Sequence, residues 1–555
     1  MGKALRNIGV VSGVTLVSRV LGLGRDMAVT AVFGTTALAS AFVTAFTLPN
    51  LFRRLLGEGA LTAAFVPTLQ EETRRNGDAG AFGLVGEVAN WTLALTAGIT
   101  TVAMLFLAGS GSWGPTLIEV GCDAATVGRW VQGAELGVWL FPYMVMVCLA
   151  AVFSAALQTR GRFIEPALSP VWLNLCMMGF LGWAVWGRGE GLGRGPAAMH
   201  WLCAGVLAGG ALQLLVPAAA LWRLGWRPCT GLPTSSGVKQ IARLMVPTLF
   251  GSAIYLINMT VSRLLGLSLD DAAATVLNLS TRLMELPIGV FAIAISTVFF
   301  PQIAMHAAAG DMHSLAKDYR QGMRLIILVN VPAAFGLVVL AKPIIRVLFQ
   351  HGQFNAEATE LMIPVLRVSA LALPFLAFVS LALRAFYAQK DTETPVRAAL
   401  ASFCVNVAAS LVLMRWAGTA GLAMGATLAV LTQAWFLQVR LTGKHTGLGF
   451  AHLGPHTLKV LAAGSVMALA VAGAWSGWER IMSQEGKDAV VATVDASSGF
   501  GRILALPGWR DVAGLAMSIS LGLGVFTVAA WVLRVEGRDE LIALIRRKLK
   551  RGRGA

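Results

Sequence analysis

The feature that most limits this chain is a series of apolar runs, each about twenty residues long, the length a helix needs to cross a bilayer core. They lie near 8–32, 36–56, 84–109, 134–157, 165–187, 197–222, 244–266, 273–304, 322–341, 361–389, 396–415, 419–438, 457–475 and 511–533, fourteen in all. A soluble surface needs charge, and here charge is scarce: 13% of the 555 residues are charged, against about 25% in soluble proteins. The runs are too rich in Gly, Pro and Ala for the roughly ten-residue alternating strands of a membrane barrel. The expected class is an all-α polytopic membrane protein with about 14 transmembrane helices. The first run holds Arg19 and leads into Arg25–Asp26 without a processing site, so it is expected to remain as span 1.

The formal net charge is +16. In a soluble protein that balance would suit nucleic acid, but here the basic residues follow the spans. Arg74–Arg75, Arg160 with Arg162, Arg223 with Arg227 and Lys239, Lys317 with Arg320 and Arg324, Lys390 with Arg397, and Arg440 with Lys444 occupy alternate connections. The connections between them hold Glu119 with Asp123, Asp270–Asp271, and the acids from Glu479 to Asp495. The positive-inside rule places the basic set and both termini in the cytoplasm. The tail from Arg546 to Arg553 then meets anionic head groups, and nucleic acid is not an expected partner. The six cysteines are scattered without a CxxC pair. No metal site, disulfide framework or cofactor is expected.

Most connections are short; 110–133, 223–243 and 476–510 are the exceptions. The stretch 223–243 holds Pro228, Gly231, Pro233, Ser235 and Ser236 and reads as a linker between halves. An internal repeat supports two halves. Gln158 to Asn174 resembles Gln389 to Asn406, and Arg54 to Pro67 resembles Arg282 to Pro301, each with gaps and a shift of about 230 residues. The expected layout is an N-lobe of spans 1–6 (1–230) and a C-lobe of spans 7–12 (231–445). Spans 13 and 14 (446–540) and a basic tail (541–555) follow.

Charges inside spans carry the functional signal, because one near the bilayer centre costs roughly 3 kcal/mol or more. Here they are mostly arginines. Arg19 lies within span 1, Arg25 and Asp26 follow Gly22 and Gly24, and Arg53, Arg54 and Glu58 end span 2. Arg282 and Glu285 lie in span 8 before Pro287, and Arg367 lies in span 10. Some of these have a simpler reading. Arg53 and Arg54 can snorkel to the interface, Arg54 with Glu58 and Arg282 with Glu285 are spaced to pair, and Arg367 lacks a local motif. A bend at the glycines is expected to turn Arg25 toward the same lumen as Arg19. Proton and cation carriers place Asp or Glu in their spans. Arginine instead offers a planar, permanent fork for phosphate or carboxylate. The implied substrate is anionic, and a pyrophosphate suits it.

Three stretches carry a family resemblance. The first is Ser18-Arg19-Val20-Leu21-Gly22 with Arg25-Asp26, then Leu48-Pro49-Asn50-Leu51-Phe52-Arg53-Arg54, Glu58-Gly59-Ala60 and Ala64-Phe65-Val66-Pro67. The second is Arg282-Leu283-Met284-Glu285-Leu286-Pro287 with Gly289-Val290, and the third Phe386-Tyr387-Ala388 with Asp391-Thr392 and Thr394-Pro395-Val396. The chain resembles the MurJ (MviN) family of lipid II flippases, within the multidrug/oligosaccharidyl-lipid/polysaccharide exporter superfamily. The resemblance implies two six-helix lobes around a cavity, with two extra C-terminal helices forming a groove for the lipid tail. It also implies translocation of lipid II from the cytoplasmic to the periplasmic leaflet by alternating access, dependent on membrane potential, in peptidoglycan synthesis. Arg19, Arg25, Arg53 and Arg282 match the family's cavity arginines, with Asp26, Arg54, Glu58, Glu285 and Ser40 as supporting or gating positions. The partners so implied are lipid II, membrane lipids and cell-wall synthesis proteins. Ser40-Ala41-Phe42 stands where the family has Asp-Ala-Phe. Span 11 has Asn406 but no acid, which argues against a sodium site of the kind some members carry.

Other readings are an exporter of another polyprenyl-pyrophosphate-linked oligosaccharide, a drug exporter of the same superfamily, a membrane enzyme, or a scaffold. A drug exporter is expected to end after twelve spans and lack the arginines. An enzyme needs paired acids, a metal motif or a phosphate loop, and none is found. A scaffold has no use for charge in the membrane interior.

Overall fold

The computed structural model describes residues 2–52, 61–186, 195–449, 453–481 and 508–536, and among them every regular element is a helix. They group into two compact units. The first is Met1–Thr275 with His351–Phe354; the second is Val276–Gln350 with Asn355–Ala555.

The first unit comprises α1 (Gly2–Phe33), α2 (Ala37–Phe52), α3 (Leu61–Ala108), α4 (Ser110–Glu119), α5 (Ala124–Leu140), α6 (Pro142–Thr159), α7 (Ile164–Trp186), α8 (Pro196–Arg223) and α9 (Ser236–Leu269). Helix α10 (Ala273–Pro287) begins in this unit. The second unit takes the rest of α10, a π-turn at Ile288–Ala292, α11 (Ile293–Ala308), α12 (Met312–Val339) and α13 (Ala341–Phe349). It continues through α14 (Ala356–Leu371), α15 (Leu373–Ala388), α16 (Glu393–Lys444), α17 (Gly454–Ile481) and α18 (Trp509–Val532).

The two units repeat the same local events, which gives the sequence repeat a physical content. A left-handed glycine precedes the third apolar run of each half: Gly77 at φ 66° inside α3, before the run at 84–109, and Gly310 at φ 70° between α11 and α12, before the run at 322–341. A short polar side chain then caps a helix. Asp123 accepts from the Thr126 N–H, and Asn355 from the Ala358 N–H. One residue interrupts the following pair, at Phe141 before Pro142 and at Ala372 before Leu373–Pro374. Next comes the same C-cap. Gly161 and Arg162 donate back to the Gln158 and Leu157 carbonyls, just as Lys390 and Asp391 donate to Tyr387 and Phe386. This aligns Leu157 with Phe386, two residues off the pairing of Gln158 with Gln389 expected from sequence.

The last two spans of each repeat meet backbone to backbone through a Gly-x-x-x-Gly pair, as small residues permit in membranes. A Cβ on Gly209 of α8 would lie 2.8 Å from the Leu173 Cα of α7, and one on Gly205 would lie 3.0 Å from the Met177 Cα. In α16, which folds back at Gly418 (φ 55°), a Cβ on Gly425 or Gly421 would lie 2.8 Å from the backbone nitrogen of Ser410 or Met414.

Nine helical stretches among the described residues are long and apolar enough to cross a membrane, and Glu393–Lys444 carries two of the sequence runs. Ala37–Phe52 and Val298–Ala308 are shorter apolar helices, and the runs at 8–32 and 244–266 lie on α1 and α9. Large apolar side chains such as Leu105, Phe106, Trp186, Trp416, Leu469 and Leu523 stand exposed, as lipid-facing positions do. Two details differ from expectation. The run at 134–157 straddles the break at Phe141, and α5 begins ten residues earlier, at Ala124. The linker is shorter than 223–243, because Ser235 caps α9 and residues 229–233 are held on α3: Asn90 donates to the Cys229 and Gly231 carbonyls, and Trp91 to Pro233.

Candidate functional site

In the first unit α1 runs as one helix through Gly22 and Gly24. Arg25 reaches α7. Its Nε and Nη2 donate to Asp26 Oδ1 at 2.9 and 2.6 Å, and Nη1 donates to Asn174 Oδ1 at 3.0 Å. Arg25 and Asp26 are each 7% exposed. The Asn174 amide also donates to the Ser18 carbonyl at 3.3 Å, so it ties two points of α1 to α7. This guanidinium is neutralised by Asp26 and bonded through each of its three nitrogens: it fastens a helix. Arg19, two turns earlier, is half-buried. Asn174 entered the sequence reading only as the end of a repeat; nothing local marks it as the partner of an arginine 149 positions away.

Ser40 is fully buried. Its hydroxyl donates to the Asp271 carbonyl at 2.5 Å, lies 3.0 Å from Thr275 Oγ1 and accepts from the Thr275 N–H. Arg129 seals the same corner. It donates to the Leu267 and Ser268 carbonyls at 2.8 and 3.0 Å and reaches Asp271 Oδ1 at 3.2 Å. Ser40 thus pins the α9–α10 turn without a charge. The hydrogen bonds from Thr126 that make Asp123 a cap hold its carboxyl below the usual range. The sequence reading missed Arg263, which is buried in α9 and reaches the Ala274 carbonyl at 3.4 Å.

In the second unit Arg282 Nη1 meets Glu285 Oε2 at 3.0 Å, with side chains 33% and 38% exposed. Pro287 and the π-turn at Ile288–Ala292 follow directly. Such turns are frequent at functional sites because they offset one turn of the helix. Arg367 is exposed and donates to the Val338 carbonyl at 3.2 Å, a structural tie. Asn406 is buried and accepts from Ser410 Oγ at 3.3 Å. The third signature is a clasp. Asp391 caps α16 through Thr394 and meets Lys444 Nζ at 2.7 Å, which ties the two ends of α16 together. Burial alone would raise the Asp391 carboxyl, but Lys444 and Thr394 bring it down to about 2. Arg53, Arg54 and Glu58 lie outside the described residues.

Long apolar helices with arginines and amides held inside them define a multi-pass membrane protein. Comparison narrows the class. A family profile described as "Lipid II flippase MurJ" matches residues 29–487. A "Probable lipid II flippase MurJ" of Rhizobium meliloti (strain 1021) is 31% identical over 472 residues, 84% of this chain and 86% of that one. The "Lipid II flippase MurJ" of Burkholderia cenocepacia is 30% identical over 75% of this chain and 79% of its own length. The chain belongs to the MurJ lipid II flippase family, a family of carriers and not of enzymes. Solved structures agree on the fold. A lipid II flippase MurJ in an inward closed conformation aligns with TM-score 0.72 at 20% identity, over 96% of this chain and 99% of that one. A multidrug resistance MATE family transporter aligns with TM-score 0.60 at 13% identity, over 78% and 98%.

Proposed function

We propose that the protein moves lipid II from the cytoplasmic to the periplasmic leaflet of the bacterial inner membrane, with both termini cytoplasmic. The observation that carries this reading is the set of guanidinium groups within the spans of a family of lipid II flippases. Arg19, Arg53 and Arg282 meet the diphosphate of the head group. Arg25 acts indirectly, by holding α1 on α7 through Asp26 and Asn174. Arg54, Glu58 and Glu285 neutralise and release these groups as the substrate enters and leaves, and Ser40 holds the α9–α10 turn. The spans work as two lobes of six, and the last two helices receive the prenyl tail.

Arginine suits this role because its fork matches a phosphate edge and keeps its charge. A potential negative inside favours export of an anion. Each charge is worth about 2.3 kcal/mol per 100 mV, so a dianion crossing the full field gains about twice that. The test is a proteoliposome assay comparing lipid II with an uncharged long-chain prenyl lipid, with and without an imposed potential. We expect lipid II to move, faster with the inside negative, and the uncharged lipid to stay. Equal movement of both lipids would overturn the reading.

A further inference from the structure

The helices α17 and α18 form a hairpin that is fastened to α12 and α13 at both of its ends. At one end, the Arg346 guanidinium of α13 lies between two carboxylates, 3.6 Å from Glu479 of α17 and 3.2 Å from Asp511 of α18. At the other, Arg324 of α12 pairs with Glu536, just past α18, at 2.6 Å, and its carbonyl lies 3.1 Å from His456 Nε2 of α17. Between the ends, glycine notches bring the helices close. A Cβ on Gly464 would lie 2.9 Å from the Phe335 ring of α12, and one on Gly514 would collide with the Trp478 indole. Leu340, Met467, Val471 and Trp475 fill the space with Val339, Ile344 and Phe526.

The repeat singles out Arg346. Helix α4 holds the place in the first unit that α13 holds in the second, between the helix of the third run and the capped one. Its sequence, Ser-Gly-Ser-Trp-Gly-Pro-Thr-Leu-Ile-Glu, has no basic residue. The cation occurs in the copy that must carry the hairpin. Removing it would also set Glu479 and Asp511 against each other, since both face the same guanidinium.

We infer that Arg346 is a positioning residue that latches the α17–α18 hairpin to α13, so that the seat of the prenyl tail travels with α12 and α13 as one body. This rests on the flippase reading above, because only a carrier of a long-tailed lipid needs that seat held. The test has two arms. In the first, Arg346→Asp, Asp511→Arg and the double exchange are compared by thermal unfolding in detergent. The singles are expected to unfold earlier and the double to recover, as a direct pair requires.

In the second arm, Arg346→Ala and Arg346→Lys are assayed in proteoliposomes with lipid II and with an analogue carrying a short prenyl tail. Arg346→Ala is expected to slow long-tailed lipid II roughly three- to tenfold while leaving the short-tailed analogue unchanged, and Arg346→Lys to restore most of the loss. A cycle without recovery overturns the latch, and so does equal slowing of both substrates. If wild type moves neither lipid, the flippase reading falls, while the unfolding cycle still decides the latch.

Discussion

Two span arginines, Arg25 in the first unit and Arg282 in the second, are held in opposite ways. In the first, Arg25 is shut between Asp26 and Asn174, and each of its three nitrogens is bonded. In the second, Arg282 pairs with Glu285 one turn away, keeps a third of its side chain exposed and precedes a π-turn. A buried arginine with a full set of partners is a fastener. A partly exposed one keeps part of its fork within reach of an incoming anion, and an ion pair exposed to this degree contributes under about 1 kcal/mol. The difference separates structural from functional charge in a chain whose composition makes every such arginine look alike.

That contrast predicts an ordered series of effects on stability. Asp26→Ala should be the largest: it leaves the buried Arg25 guanidinium with neutral partners, Asn174 Oδ1 and Met177 Sδ, costing on the order of 3–5 kcal/mol in detergent unfolding. A cost near zero would erase the distinction between the units. Next is Gly425→Val, which forces a side chain into the Ser410 backbone and should cost about 1–3 kcal/mol by splaying α16. Gly209→Val should behave alike against Leu173, since the two repeats share this contact. Arg282→Ala should cost less than about 1 kcal/mol; a loss as large as that of Asp26→Ala would make Arg282 a fastener too.

The smallest effect concerns the α16 clasp. The Asp391 carboxyl lies below its ordinary 3.8, at about 2. A lowered carboxyl stabilises fully above the unfolded value and loses that contribution as pH falls through the folded one. Asp391→Asn should therefore lower stability by roughly 0.5 kcal/mol near neutrality, as a solvent-screened pair does. The gap to wild type should close between about pH 4 and pH 2, followed by unfolding at stepped pH.

Much of this was legible in the sequence. Apolar runs report spans directly, because the bilayer forces every backbone group into helical pairing. The arginines announced themselves by their cost in lipid. What the sequence concealed were partners and breaks. Asn174 is an ordinary amide until α7 is laid against α1. Gly77, Gly310 and Gly418 are three among 61 glycines, and their positive φ shows only once the chain is folded. The Gly-x-x-x-Gly pairs at 205–209 and 421–425 were present in the sequence and would have marked the return helix of each repeat. Arg263 was missed because it sits at the margin of an apolar run beside polar neighbours, where charge looks cheap.

The central claim is that half-exposed span arginines recognise the diphosphate of a lipid-linked sugar. Its most direct test is the initial rate of lipid II translocation by Arg282→Ala in proteoliposomes, at protein levels and unfolding temperatures matched to wild type. The predicted result is a loss of at least about tenfold, equivalent to roughly 1.4 kcal/mol. A full wild-type rate would contradict it.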